Sequence, residues 1–424
     1  MLGDGTLWTA LPVDTSRADC QQSTTAALER SKRAALDVLI VCKDEVDSPT
    51  GAIFSELFNN MDRIKSLHFD TTLPGTLHNL SAPAPKLEML KIFTAEQPTE
   101  LGVLFGGKLP ALRNLTLAGI PSWPLGLFSK LKQLCLILPS SHPTVRISSL
   151  IDVMSRSPDI EQIRMSAFLS VIDDSPPSSL VHLPNLQRFV MRNCDSSTVL
   201  SHTVIPATAN VKIITDHHTM KNVLHIPSRD LHILCSVPED LSTTGFLTEA
   251  TMLVIQRDHE VGFGLGFYRS RSSQPSLRIL DHSTSVDLFA RRSIEALASR
   301  SHHFRNIKEL FFVLSADIAV PWSTLLRGFK QLELLSMVAL HAPPILSALM
   351  VVGEDGHPIC PSLNQLNIYN RDDDYQVALD RDDMVEFFAA RRVLACAAAE
   401  VIIRRRGGQK IVWKCRGTDV RLEG

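Results

Sequence analysis

Residue types able to do chemistry are plentiful in this chain, but their spacing fits few reactions. Gly262-Phe263-Gly264-Leu265-Gly266 has the glycine density of a phosphate loop. A dinucleotide fingerprint needs glycine where Phe267 stands, and a helix where Arg269 to Pro275 reads as loop. Asp372-Asp373-Asp374 could attract a cation but lacks the alternation of a calcium loop. His217-His218 and His302-His303 are adjacent pairs whose rings diverge on a helix or strand, and no further metal ligand stands at useful spacing. Arg404-Arg405-Arg406 reads as the flank of an exposed turn. The eight cysteines are never closer than 19 residues, and no Cys-x-x-Cys occurs. There is no Gly-x-Ser-x-Gly elbow, Walker loop or His-Glu-x-x-His. A dispersed Ser-His-Asp triad leaves no signature in sequence, so a hydrolase site, as the alternative from another class, would be sought in residues 201–275. The reading is therefore non-enzymatic: no catalytic residue, no metal ligand and no cofactor.

What positions the remaining polar residues is a repeat. Apolar-x-x-apolar-x-apolar recurs as Leu36-Leu39-Val41, Ile64-Leu67-Phe69, Leu87-Leu90-Ile92, Leu112-Leu115-Leu117, Leu131-Leu134-Leu136, Ile160-Ile163-Met165 and Leu186-Phe189-Met191. It returns at Ile307-Leu310-Phe312, Leu332-Leu335-Met337 and Leu363-Leu366-Ile368, with weaker copies from Leu231, Ala250 and Leu277 and a very poor one near Val211. Alone, the pattern is weak, because three apolar positions match often in a chain that is 44% hydrophobic. The position two before the first apolar residue is more specific: it holds Pro85, Pro110, Pro158, Pro184, Pro275 and Pro361. Proline can neither continue a helix nor donate to a strand ladder, so it ends one element and opens a short strand.

Between these strands the period becomes helical, as in Ile53, Phe54, Leu57, Phe58 and Met61, or Ile147, Leu150, Ile151 and Met154. Leu101, Leu104 and Phe105, then Leu288, Ile294, Leu297 and Ala298, then Leu325, Leu326 and Phe329 continue the theme. One strand and one helix cannot bury their apolar stripes alone, but stacked copies can. The expected fold is α/β: a leucine-rich-repeat-like solenoid, with a curved parallel sheet and helices on its convex side. Cys194 stands where a leucine-rich repeat places its Asn or Cys, three residues after Met191, but most copies lack that residue, so an irregular solenoid is expected. Its divisions are an N-terminal segment with a helical cap (1–35), the repeats (36–380), and a C-terminal cap of a helix plus a strand pair (381–424).

Leu7-Trp8-Thr9, followed by Leu28-Glu29-Arg30-Ser31 and then Leu36-Asp37-Val38, resembles a large group of fungal F-box proteins. In that group an F-box ends near such a Leu-Trp-Thr, a helix with Leu-Glu-Arg-Ser follows, and degenerate leucine-rich repeats come after. The resemblance implies a substrate receptor for a cullin–RING ubiquitin ligase, joined through a Skp-type adaptor. Only seven residues precede Trp8, so the adaptor-binding helices are expected to be missing and adaptor binding is not expected of this chain. A free-standing repeat scaffold is the alternative among binding proteins.

Composition agrees with a binding protein and excludes other classes. With 43 basic and 45 acidic residues, no bulk charge points to nucleic acid, and 6% aromatics do not make a base-stacking platform. The apolar run Val393–Ile403 is short for a membrane span and is broken by Glu400. Met1–Ala10 lacks the basic and apolar regions of a signal peptide, and scattered cysteines suit a reducing compartment, so an intracellular monomer, cytoplasmic or nuclear, is expected. The partner is expected to be a protein held on the outward strand positions. The candidates are His68, Asp70, Lys91, Arg164, Arg188, Arg192, Gln365, Asn367 and Tyr369, with the three arginines on neighbouring strands suited to one acidic patch. Outward Val254, Phe311, Val313, Leu334 and Val338 need cover, from a loop or from Leu2–Pro12.

Overall fold

The computed structural model describes residues 8–42, 48–72, 77, 80–94, 104–120, 128–137, 147–166, 180–194, 196–216, 232–238, 245–258, 262–271, 274–281, 286–314, 320–353, 356–369, 381–394, 396, 400–404, 410–416 and 419–423. The chain is mixed α/β and forms two compact units, Met1–Val204 and Ile205–Gly424. This division falls inside the stretch that the sequence reading assigns to repeats.

Unit 1 holds a parallel sheet whose strands follow chain order. They are β1 (Ala10–Asp14), β2 (Leu36–Cys42), β3 (Ile64–Thr71), β4 (Met89–Thr94), β5 (Asn114–Ala118), β6 (Gln133–Ile137), β7 (Gln162–Ser166) and β9 (Arg188–Arg192). Two short strands, β8 (Val181–His182) and β10 (Thr203–Val204), pair apart from it. Registers align the repeats residue for residue. Leu67, Leu90, Leu115, Leu134, Ile163 and Phe189 are successive partners, as are Phe69, Ile92, Leu117, Leu136, Met165 and Met191. All twelve are buried, forming two continuous apolar rows on one face. The Ser48–Phe58 helix covers that face, with the Phe54 ring 5.9 Å from Phe69.

The proline has a sharper role than ending a helix. Leu87, Leu112, Ile160, Leu186 and Leu363 each donate their N–H to the carbonyl three residues earlier, at Ala84, Leu109, Ser157, Leu183 and Cys360. In each case proline is the second residue of that four-residue turn, where its fixed φ fits best. The turn aims the chain into its strand. Two successive N–H groups then share one carbonyl of the preceding repeat: Arg113 and Asn114 on Glu88, Gln187 and Arg188 on Glu161. Opposite charges flank the same rung, with Lys65–Glu88 at 3.4 Å and Lys132–Glu161 at 3.0 Å. Exposed pairs of this kind add little stability, but they favour one register.

Unit 2 is less regular. Its strands are β11 (Asn210–Thr215), β12 (Met252–Asp258), β13 (Gly262–Tyr268), β14 (Leu277–Asp281), β15 (Glu309–Val313), β16 (Leu334–Val338), β17 (Gln365–Tyr369), β18 (Glu400–Arg404), β19 (Lys410–Arg416) and β20 (Asp419–Glu423). β11 lies parallel to β14, β13 runs antiparallel between β14 and β12, and β12 continues parallel into β15, β16, β17 and β18. β19 and β20 close the unit antiparallel. Apolar rows recur as Leu253, Leu310, Leu335, Leu366 and Val401, all buried. Helices cover their side, as shown by Phe312 against Trp322 at 4.5 Å and Phe263 against Phe289 at 6.4 Å.

Several expectations are corrected here. The sheet is mostly, not wholly, parallel. Residues 1–35 are more than a helical cap, because β1 pairs in register with β2, Ala10 opposite Asp37 and Val13 opposite Ile40. The C-terminal cap has three strands rather than a pair. The copy at Leu231 is a 3-10 turn, Ile233–Ser236, since polar Ser236 stands at its third apolar slot. Leu104–Gly107 is also a 3-10 turn. Gly262–Gly266 is not a loop but part of β13, with Phe263, Leu265 and Phe267 in the core and the glycines on the other face. A Cβ at Gly264 would lie 3.0 Å from Leu280, and one at Gly266 would lie 2.7 Å from the Tyr268 ring. The missing side chains thus make room for Leu280 and Tyr268.

Candidate functional site

With helices on the apolar side, the other face of the unit 1 sheet carries the polar half of each strand. Its rows follow from the registers. Asp37, Ser66, Met89, Asn114, Gln133, Gln162 and Arg188 form one. Leu39, His68, Lys91, Thr116, Cys135, Arg164 and Val190 form the next. Val41, Asp70, Phe93, Ala118, Ile137, Ser166 and Arg192 form the third.

Apart from Lys91 on β4, charge is sorted along these rows. Asp37 and Asp70 stand on β2 and β3, β5 and β6 carry no charge, and Arg164, Arg188 and Arg192 stand on β7 and β9. At about 4.8 Å per strand, the acidic and basic ends are roughly 20–30 Å apart. The structure brings the three arginines together: Arg164 faces Val190, and Arg188 and Arg192 flank Val190 two residues to either side. All three are exposed. No carboxylate lies within ion-pair distance of them among the described residues. Three guanidiniums at cross-strand and diagonal spacing form a fork-rich surface for carboxylates.

The rest of the face is more enclosed. His68 is half-buried, its ring 5.1 Å from that of Phe93. Burial, then the nearby Lys91 charge, lowers its pKa against the opposing pull of Asp70, so the ring is held neutral at pH 7. Leu39, 38% exposed, is an apolar contact point beside it that the sequence reading placed in the core pattern. Cys135 sits near Arg164 and Lys91, but burial dominates and raises its pKa, so it is not an activated thiol.

Gln365, Asn367 and Tyr369 belong to β17 in unit 2 and do not extend the unit 1 rows. Gln365 and Tyr369 are half-buried, whereas Asn367 is only 5% exposed. Its amide donates to Ser336 Oγ at 3.2 Å and accepts from Gln365 Nε2 at 2.9 Å. Asn367 is therefore a covered cross-strand link, and its candidacy as a contact residue is withdrawn. The outward apolar residues of unit 2 are sheltered within the unit. Leu334 is buried, Val254, Phe311, Val313 and Val338 are half-buried, and Arg271 bonds Glu309 at 2.6 Å with its guanidinium 5.9 Å over the Phe311 ring. Arg271, just after β13, supplies the cover over Phe311, and most of Leu2–Pro12 lies outside the described residues.

The two motifs near the N-terminus meet in space. The Arg30 guanidinium lies 4.7 Å over the Trp8 ring, Leu28 is buried, and Ser31 accepts from Arg63 Nη1 at 2.9 Å. Arg63 is only 7% exposed, and no carboxylate among the described residues pairs with it. It donates instead to Asn60 Oδ1, Lys32 O and Leu28 O, holding the C-terminal end of the Cys20–Ser31 helix. Arg391, 1% exposed, does the same in unit 2 with the carbonyls of Ile359 and Cys360, both at 2.8 Å. Sequence reasoning singled out neither arginine.

Among the described residues, no three His, Cys, Asp or Glu side chains are placed to hold a metal ion. The His302 and His303 rings do not diverge as expected but lie 3.9 Å apart, tilted by 40°, on a 3-10 turn. Asp372–Asp374, His217-His218 and Arg405-Arg406 lie outside the described residues. Ser201 and His202 share a hydrogen bond, but the same His202 nitrogen lies 2.8 Å from Thr198 O at a helix end. No helix among the described residues is long and apolar enough to cross a membrane. No protein-family model matches the chain, and no curated protein matches it.

Proposed function

We propose that this chain is a non-catalytic protein-recognition module, a degenerate leucine-rich-repeat-like solenoid that grips its partner on the helix-free strand face. The supporting observation is the sorting of charge across in-register strands: a guanidinium cluster at Arg164, Arg188 and Arg192, and carboxylates at Asp37 and Asp70. A partner of matching polarity sets an acidic patch on β7 and β9 and a basic one on β2 and β3. Within that reading the F-box resemblance makes the chain the substrate-receptor portion of a ubiquitin ligase, in a reducing intracellular compartment. The free-standing scaffold remains the second member of this class.

The test compares proteins cross-linked to the native chain with those cross-linked to the Arg164→Glu/Arg188→Glu/Arg192→Glu variant, both verified as folded by circular dichroism. A partner weakened about 100-fold or more by the three reversals supports the reading. Identical capture by both refutes it. The ligase link has its own test: the protein isolated from its native cells is expected to co-purify with a Skp-type adaptor, and the adaptor's absence leaves the scaffold.

A further inference from the structure

The seam between β7 and β9 carries six outward positions in register. Gln162 lies opposite Arg188, Arg164 opposite Val190, and Ser166 opposite Arg192. The guanidiniums therefore zigzag across the seam, from Arg188 to Arg164 to Arg192, and neutral Gln162, Val190 and Ser166 fill the alternate places. The arginines are exposed, whereas the three neutral residues are half-buried. On neighbouring β6 the outward residues are Gln133, Cys135 and Ile137, so the charge is confined to the seam on that side.

Along the strand axis the charges stand two residues apart, about 6.6 Å per step and about 13 Å from Arg188 to Arg192. Sideways they differ by one strand, about 4.8 Å. Like charges this close on one sheet face repel, at a cost in stability. A need for surface solvation does not account for that arrangement. Elsewhere in unit 1 the strand-edge charges come in opposite pairs, Lys65 with Glu88 and Lys132 with Glu161. Among the described residues, no hydrogen bond or ion pair engages Arg164, Arg188 or Arg192. The three forks face outward with their pairing capacity open to an external counter-charge.

The spacing selects the shape of that counter-charge. In an extended peptide alternate side chains point the same way at about 3.3 Å per residue, so residues i, i+2 and i+4 meet the sheet every ~6.6 Å. A helix rises about 1.5 Å per residue with 3.6 residues per turn. Its carboxylates at i, i+4 and i+8 recur every ~6 Å but rotate by about 40° at each step, which carries the third away from so narrow a seam.

We propose that the β7–β9 seam holds an extended acidic peptide segment with carboxylates at alternate residues, one to each of Arg188, Arg164 and Arg192. Each carboxylate accepts two parallel N–H bonds from a guanidinium fork, and Gln162 and Ser166 are left to bond the peptide backbone. The inference rests on the reading of the strand face as the recognition surface and names the kind of segment it takes.

Fluorescence anisotropy of labelled peptides titrated with the full chain tests it. One peptide carries Asp-Thr-Asp-Thr-Asp, a second has its three aspartates adjacent, and a third is a helix former with an aspartate at every fourth residue. Expected is saturable binding of the first, about fivefold or more tighter than either of the others. Arg164→Gln should weaken it about three- to fivefold, and Arg164→Gln/Arg188→Gln/Arg192→Gln about 30-fold or more, with circular dichroism unchanged. Arg156→Gln, which removes an exposed cation paired with Asp152 at the end of the Ile147–Ser155 helix, should leave it unaltered. The proposal is overturned if the arginine variants bind as the native chain does, or if a single-stranded uridylate oligomer of equal charge binds more tightly. It also falls if the three spacings bind alike. Should reversal of the three arginines still abolish capture of a cellular partner in that last case, the strand-face reading stands and the alternate-carboxylate segment alone is refuted.

Discussion

Replacing Arg63 with methionine should loosen the first repeats of unit 1 by about 3–4 kcal/mol, and the figure follows from what the guanidinium touches. It donates at 3.0, 2.9, 2.6 and 3.0 Å to Asn60 Oδ1, Ser31 Oγ, Lys32 O and Leu28 O. A hydrogen bond to a charged group is worth about 1.5–3 kcal/mol, and removing the donor also strands buried acceptors at about 1 kcal/mol or more each. Against this stands the cost of keeping a guanidinium out of water, several kcal/mol, which the variant recovers. Burial lowers the Arg63 pKa, with nearby Asp62 opposing, so that desolvation cost is present in the native state. Methionine keeps the apolar stem and isolates the loss of the fork. Differential scanning calorimetry should show the unit 1 transition falling by roughly 6–15 °C. Native-state hydrogen exchange should quicken first in the Cys20–Ser31 helix, whose end the arginine holds. A shift below about 1 kcal/mol, or faster exchange elsewhere with that helix unchanged, would refute the argument.

Arg391→Met should cost unit 2 about 2–4 kcal/mol by the same reasoning, read from the second calorimetric transition, with Arg391→Lys recovering only part. Burial pushes the Cys42 thiol up to about 11 and the Cys360 thiol up to about 12. Their folded pKa values lie above the unfolded value, so this stability is complete below about pH 8.5 and fades as pH rises toward those values. Urea midpoints between pH 8 and 11 should fall less steeply in the Cys42→Ser/Cys360→Ala variant, and parallel curves would count against it. At pH 8 a thiol reagent should reach half-buried Cys135, Cys235 and Cys396 before buried Cys20, Cys42, Cys194 and Cys360, as peptide mapping would show. Gly119→Ala should destabilise unit 1 by about 2 kcal/mol or more in urea melts, because φ is +80° and the new Cβ would collide with the Thr94 carbonyl oxygen.

The core of unit 1 was legible because most repeats show two apolar residues at strand spacing, and those leading into β4, β5, β7 and β9 add a turn proline. The same logic found β15, β16 and β17, and it placed His68, Lys91, Arg164, Arg188 and Arg192 on one face. β1 escaped because Pro12 interrupts it; such a strand is tolerated here because it starts the sheet and has β2 on one side in unit 1. β13 escaped because three glycines read as a loop, although Phe263, Leu265 and Phe267 alternate with them at strand period. β14 was found one residue out of frame: Pro275 predicts an inward Leu280, whereas Leu277 and Ile279 enter the core row. Beside parallel β11 it has antiparallel β13, whose Phe267 carbonyl takes the Ser276 N–H, and the usual turn is absent among the described residues. Arg63 and Arg391 left no signal, since a lone arginine does not reveal that its partners are carbonyls. Asn367 looked available because strand parity gives direction, not depth.

The reversed β12–β13–β14 meander gives the two units different tolerances to shortening. In unit 1 the strands from β1 to β7 each pair with the next in the chain, so a repeat could be trimmed from the N-terminal end with one new edge exposed. In unit 2, Val211 pairs with Leu277, while Leu253 pairs with Leu310 across the intervening hairpin. A nascent chain must therefore hold β11 without its β14 partner for some 60 residues of synthesis. Any cut between Thr215 and Leu277 deprives two separate parts of the unit of a neighbour at once. Unit 1 can grow or shrink by single steps; this part of unit 2 is inherited whole.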